Sequence, residues 1–139
     1  MPAPLQVFEH TTQIREDDIK GGHVHNSRFF TYIGNACDEW YRALSFAADT
    51  ISPGAPAVAH VSNDFLRQMT FPGEVMCKLT AVRVGRTSLE HAVELRDANN
   101  PDVICGRGKI VHVWMDLTIG KSAPWPREVL AKCWSDSAQ

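Results

Sequence analysis

A change of hydrophobic period near residue 56 constrains this chain more than any other feature of its sequence. Before it, Phe29, Phe30, Ile33, Ala36, Cys37, Trp40, Tyr41 and Leu44 recur at three- and four-residue intervals. That is the spacing of one wide apolar helix face, so a long helix is expected over residues 27–46, with Asn26 as its N-cap. Gly34 within it costs about 1 kcal/mol relative to alanine, and is expected to admit another backbone at close range. The stretch DTISPGAP, 49–56, is turn chemistry, and beyond it the pattern alternates with period two. Strands are expected at 57–68, 74–84, 86–97 and 103–116, punctuated by Phe71-Pro72-Gly73, by Gly85 and by DANNPD at 97–102.

Upstream, LQVFEHTTQIRE at 5–16 reads as a first strand running into DDIKGGHVHN at 17–26, a polar loop. After Asp116, LTIGKSAPWP reads as a loop and REVLAKCW as a short terminal helix. Consecutive strands joined by short turns pair antiparallel. The economical packing is therefore α+β, with one long helix on an antiparallel sheet of about five strands. A chain of 139 residues with 44% hydrophobic content suits a single domain over 1–139, one that buries roughly two-thirds of its unfolded surface. Cys105-Gly106-Arg107-Gly108-Lys109 lacks Walker A spacing. In a strand Gly106 and Gly108 share one face, where they are expected to let the helix approach closely.

The 14 basic and 16 acidic side chains are interspersed without a basic run, which offers nothing to a nucleic-acid backbone or an anionic membrane. Small molecules and copies of the chain itself are the expected partners. Cys37, Cys77, Cys105 and Cys133 stand 40, 28 and 28 residues apart, matching neither paired zinc spacing nor a dense disulfide framework. Reduced thiols and a cytoplasmic location are expected, since MPAPLQVFEHTTQI lacks the pattern of a signal peptide and no apolar run approaches 18 residues.

Three segments then converge on one family. Gly22-His23-Val24-His25-Asn26 precedes an aromatic-rich helix that carries Glu39-Trp40. Val82-Arg83-Val84-Gly85-Arg86-Thr87-Ser88-Leu89 and Val113-Trp114-Met115-Asp116-Leu117 follow in order. With these the chain resembles, over nearly its whole length, the hotdog-fold acyl-CoA thioesterases of the 4-hydroxybenzoyl-CoA thioesterase-like group. The resemblance implies hydrolysis of an acyl-CoA to the free acid and coenzyme A, without a cofactor. It implies an aspartate after the first strand acting on the thioester carbonyl, as nucleophile or as the base that activates water. The oxyanion is then held by the backbone N–H of Asn26 at the start of the helix, where unpaired N–H groups and the positive end of the dipole face it. Arg86 and Ser88 match family positions that contact the nucleotide end of coenzyme A, with Arg83 a weaker match. An isolated domain of this type leaves sheet edges uncovered, so a homodimer or homotetramer is expected.

The loop departs from the family pattern of Asp, two residues, Gly-His-Val-Asn-Asn. Here Asp18 is followed by Ile19-Lys20-Gly21-Gly22-His23-Val24-His25-Asn26, one residue longer. An ungapped alignment puts Ile19 on the catalytic position and Asp17 on the other acid of the family's common pair. Treating the second glycine as an insertion restores Asp18, because glycine tolerates the positive φ that a bulge requires. Asp18 is taken as the catalytic carboxylate, with Asp17 in reserve. His25 replaces the family's asparagine and is read either as a proton shuttle or as a side chain that orders the loop. His23 is read chiefly as loop-ordering.

His23 and His25 with Asp17 or Asp18 have zinc-compatible chemistry, but no distant cluster completes a ligand set, and no metal is expected. Cys37 lies on the apolar face, where a thiol is packing and not a nucleophile. Glu39 is placed at the polar edge of the helix, although another hotdog branch carries its carboxylate on the long helix. Phe29, with Phe30, Trp40 and Tyr41, could line an acyl pocket or simply form core. Two rival functions stay open: a hotdog enoyl-thioester hydratase or dehydratase, to which His25 would contribute, and a non-catalytic acyl-CoA-binding protein, to which Ile19 would point.

Overall fold

Alternation along the strands decides which face of the sheet meets the helix. A computed structural model describes residues 6–43 and 54–131 of the chain. In it β1 (Val7–Gln13) leads through a 3-10 turn at Glu16–Asp18 into a small hairpin, β2 (Ile19–Lys20) and β3 (His23–Val24). Helix α1 (Asn26–Ala43) follows, then four long strands, β4 (Gly54–Phe65), β5 (Glu74–Val84), β6 (Ser88–Asp97) and β7 (Ile104–Asp116). The described chain closes with β8 (Lys121–Ser122) and α2 (Arg127–Ala131).

The main sheet is antiparallel throughout in the order β1-β5-β6-β7-β4, with β8 pairing β7 at Met115 and Asp116, beyond the point where β6 begins at Ser88. Val75, Cys77, Leu79 and Ala81 of β5 and Leu89, His91, Val93 and Leu95 of β6 point inward. They form one core with Phe29, Tyr32, Ile33, Ala36, Cys37, Trp40 and Tyr41 of α1. A one-residue slip would turn each inward set outward, and each large apolar side chain contributes about 1.5–3 kcal/mol when buried, so burial fixes the register.

The expected architecture of one long helix on an antiparallel sheet is present, and several local expectations need correction. Helix α1 starts at Asn26, and the N-cap is His25: its Nδ1 accepts the Ser27 N–H at 3.2 Å and its carbonyl accepts the Arg28 N–H at 2.9 Å. A ring nitrogen does here what an asparagine oxygen would do one residue later. Phe30 is not on the core face; it is 38% exposed. Gly54-Ala55-Pro56, expected as turn, begins β4, while the expected turn at 49–53 and the helix at 44–46 lie outside the described residues. The expected loop 117–126 contains a hairpin that folds β8 back on β7, with Gly120 at φ +67°.

The glycines also act differently from expectation. A Cβ on Gly34 would meet nothing within 4 Å, so no backbone of the described residues passes there. Gly106 and Gly108 make room for β4 and not for the helix. A Cβ on Gly108 would fall 1.9 Å from the Ser62 carbonyl oxygen, and one on Gly106 would fall 2.6 Å from the Asn63 side chain.

Candidate functional site

The loop 17–26 brings its two ends together before α1 begins. Gly21 and Gly22 adopt φ of +69° and +87° and close the β2–β3 hairpin, in which Ile19 pairs with Val24 and Lys20 with His23. Glycine takes two successive left-handed positions without strain, as this two-residue turn requires. At the base of the hairpin the His25 N–H donates to the Asp18 carbonyl at 2.9 Å. Ile19 is half-buried against the core, so the aliphatic side chain at the ungapped position serves packing.

Asp18 is a buried carboxylate, 5% exposed, and the only buried acid among the described residues. Its Oδ2 accepts the Arg15 N–H at 2.9 Å and the Tyr32 hydroxyl at 2.8 Å, and its Oδ1 lies 3.4 Å from Arg28 Nε. Three donors on two oxygens satisfy the requirement that a buried charge be paired. Burial first, then the hydrogen bond to Asp18, raises the Tyr32 phenol well above its ordinary range. Asp17 points outward and pairs with Arg15 Nε at 3.2 Å.

Two clefts flank the first turns of α1. One, of about 230 Å³, is lined by His23, Asn26, Phe29, Phe65, Arg67 and Gln68 among others. The second, of about 250 Å³, is lined by Asp17, Asp18, Arg28, Thr31, Tyr32 and Asn35 among others. Asn26 and the carboxylate thus border adjacent clefts, with the helix start between them. As the first residue of α1, Asn26 has an N–H with no intrahelical acceptor. Phe29 is buried edge-to-face on Phe65, ring centroids 5.0 Å apart, and forms the apolar floor of the first cleft.

His25 is exposed, its Nδ1 also bonded to the Ser27 hydroxyl at 2.8 Å, so the ring orders the helix start. His23 is half-buried on the wall of the first cleft. Arg86 and Ser88 are not brought to this end of the helix. They flank the β5–β6 turn, where Trp125 donates to the Thr87 carbonyl at 2.9 Å and stacks on Tyr41, far along α1. Glu39 pairs with Arg42 on the outer side of α1. The Cys37 thiol is pushed up to about 12, by burial first and by Asp38 second, and is inert as a nucleophile. Among the described residues no cluster of three or more His, Cys, Asp or Glu is placed to hold a metal, and no helix is long and apolar enough to cross a membrane.

Tyr32 and Arg28 contact Asp18 in the candidate site, and sequence reasoning missed both. Tyr32 lies 14 positions from Asp18, and no local motif links them. The available signal was a tyrosine on the core side of a helix, whose hydroxyl needs a polar partner when buried.

Known structures share this fold. A candidate thioesterase from Pseudomonas aeruginosa superposes with a TM-score of 0.83 at 26% identity, over 91% of this chain and 98% of that one. A 1,4-dihydroxy-2-naphthoyl-CoA thioesterase from Synechocystis gives 0.83 at 20% identity, over 92% and 96%. A Staphylococcus aureus protein in complex with CoA gives 0.82 at 10% identity, over 95% and 84%. No curated protein matches the sequence. The family model described as the thioesterase-like superfamily matches residues 15–133, from the loop that carries Asp18 to beyond the terminal helix. With the long helix cradled by an antiparallel hotdog sheet and that match over most of its length, the chain belongs to the thioesterase-like superfamily.

Proposed function

We propose that the protein hydrolyses an acyl-CoA thioester to a free acid and coenzyme A, with Asp18 as the carboxylate that acts on the carbonyl. The observation that carries this reading is a buried carboxylate held beside the start of α1 by the bond between the His25 N–H and the Asp18 carbonyl. Asp18 takes a proton from water, whose oxygen adds to the thioester carbon, or attacks that carbon directly. The Asn26 N–H holds the oxyanion across the first turn of the helix. The carbon–sulfur bond then breaks, and the thiolate leaves as coenzyme A with the proton that Asp18 took from water. Where Asp18 itself attacked, the thiolate takes its proton from solvent, and water then cleaves the acyl–aspartyl anhydride to the free acid and restores the carboxylate. The reading needs no cofactor beyond these groups.

The names of the Synechocystis and Staphylococcus structures support coenzyme A esters as the substrate class. Phe29 and Phe65 form the floor for the acyl group. Arg86 and Ser88, at the other end of the helix, serve a nucleotide bound across two copies of the chain. Strand β4, twelve residues long and paired on one side only among the described residues, supports a homodimer built on that edge. The even interspersion of 14 basic and 16 acidic side chains supports an enzyme that works on small molecules as one domain, and a cytoplasmic location is part of this reading. A hydratase has less support, because among the described residues no histidine is paired with a carboxylate.

The test is thiol release from short, medium, branched and aromatic acyl-CoAs by wild type, Asp17→Asn and Asp18→Asn, each checked for folding. Loss by a factor of about a hundred in Asp18→Asn alone is expected for removal of a general base. Binding of these esters by wild type without thiol release would replace hydrolysis by a binding function.

A further inference from the structure

We infer that Tyr32 is a positioning residue for the reaction: its buried hydroxyl holds Oδ2 of Asp18, leaving Oδ1 as the oxygen that meets water or substrate. This inference rests on the role proposed for Asp18. Oδ2 already accepts two short bonds, from the Tyr32 hydroxyl at 2.8 Å and the Arg15 N–H at 2.9 Å. Oδ1 faces only Arg28 Nε, at 3.4 Å, and Arg28 is itself half-exposed. Of the two oxygens, Oδ1 therefore keeps the greater lone-pair capacity.

Tyr32 is suited to this task. It is 1% exposed and sits on the second turn of α1, locked among Phe29, Ile33 and Ala36 in the core, so its hydroxyl cannot swing away. The charged and titratable groups around the carboxylate are Arg15 and Asp17 from the loop and Arg28 and Tyr32 from α1. The two arginines are exposed or half-exposed and are shared with Asp17: Arg15 pairs with its carboxylate, and Arg28 Nη2 donates to its carbonyl at 3.5 Å. Tyr32 alone binds Asp18 from within the core. Burial keeps its phenol protonated throughout the working pH range, so it acts only as a donor to the charged carboxylate. Removing the hydroxyl frees the carboxylate to rotate and withdraws a bond from its ionised form.

The experiment is Tyr32→Phe, which keeps the ring and its packing. Steady-state thiol release is followed from pH 5 to pH 9 on the best acyl-CoA substrate, beside Asp18→Asn and the double variant. The expected result is a fall in kcat of about tenfold with KM within about twofold, the size of one hydrogen bond to a charged group. The acid limb of the kcat profile should move to higher pH, because the ionised carboxylate loses a donor. In the Asp18→Asn background Tyr32→Phe should have no further effect, because the hydroxyl acts through that carboxylate. Wild-type turnover with an unmoved acid limb in Tyr32→Phe overturns this inference and leaves the proposed function standing, as does an additive loss in the double variant. Absence of thiol release by wild type on every ester overturns both.

Discussion

Two histidines in the middle of the sheet should make the fold sensitive to mild acid. His91 and His112 are 1% and 5% exposed on adjacent strands β6 and β7, and His91 Nδ1 and Nε2 and His112 Nδ1 find no hydrogen-bond partner among the described residues. Trp40 stands edge-on to His91 at 4.6 Å and Tyr41 to His112 at 5.5 Å, so both rings lie in an aromatic layer under α1. Burial lowers each ring from 6.5 to about 4, and His112 adds a smaller repulsion to His91. The sign follows directly. Above pH 6.5 neither the folded nor the unfolded chain holds these protons, and the two rings cause no pH dependence. Between pH 6.5 and pH 4 the unfolded chain binds them and the folded chain does not, so stability falls as pH falls.

A drop from 6.5 to about 4 is worth about 3 kcal/mol per ring at roughly 1.36 kcal/mol per pH unit, and about 2 kcal/mol of it is lost by pH 5. Both rings together would remove about 4 kcal/mol by pH 5, a large share of a stability of roughly 5–15 kcal/mol. The assay is urea unfolding by tryptophan fluorescence from pH 7.5 to pH 5, above the range where ordinary carboxylates titrate. His91→Leu should lose about half of the pH dependence. At pH 7 it should stay within about 2 kcal/mol of wild type, because the lost ring contacts are offset by removal of unpartnered polar atoms. If His91→Leu and the double variant with His112→Leu keep the wild-type decline between pH 6.5 and pH 5, the buried rings are not its source and the reasoning fails.

Other outcomes can be stated briefly. Gly108→Ala should destabilise the fold by about 3 kcal/mol or more, since its Cβ would fall 1.9 Å from the Ser62 carbonyl, whereas Gly34→Ala should stabilise it by about 0.5–1 kcal/mol; thermal unfolding compares them, and destabilisation by Gly34→Ala would mean that another chain occupies that space. Cys37, Cys77 and Cys105 are buried, and their thiols are raised above the ordinary range chiefly by burial. All three should resist an aromatic disulfide reagent in the native protein and react within seconds in urea, and fast labelling of any of them in the native state would contradict the packing described.

The legible part of this molecule was its periodicity. Strands β5, β6 and β7 lie within two residues of the expected ranges because one face of each is buried and the other half-exposed, which writes a period of two into the sequence. The helix was equally plain, yet its cap was displaced by one residue, since His25 can accept through a ring nitrogen and propensity alone favours Asn26. The roles of Gly106 and Gly108 were misread because alternation says that a face is crowded and not by which neighbour; β4 lies beside β7 although β5 and β6 intervene in the sequence. The short β8 carries too few residues to show any period. Within the candidate site, the loop and the choice of Asp18 came from the resemblance to the family pattern, and the structure adds that Asp18 is buried. The Tyr32–Asp18 bond could not be read in this way, because it depends on how α1 sits over the end of β1, a tertiary fact with no local signature.

The hairpin closed by Gly21 and Gly22 also acts as a length buffer for the loop. Its outer end is free, with open space around both glycines, while its inner end is tied where the His25 N–H meets the Asp18 carbonyl. Residues added or removed at the outer end change how far the hairpin projects, and the two tied ends keep their spacing. In this architecture the segment between carboxylate and helix can therefore vary in size between relatives without moving either, which makes the glycine turn the natural place to graft or trim a loop when altering what reaches the clefts.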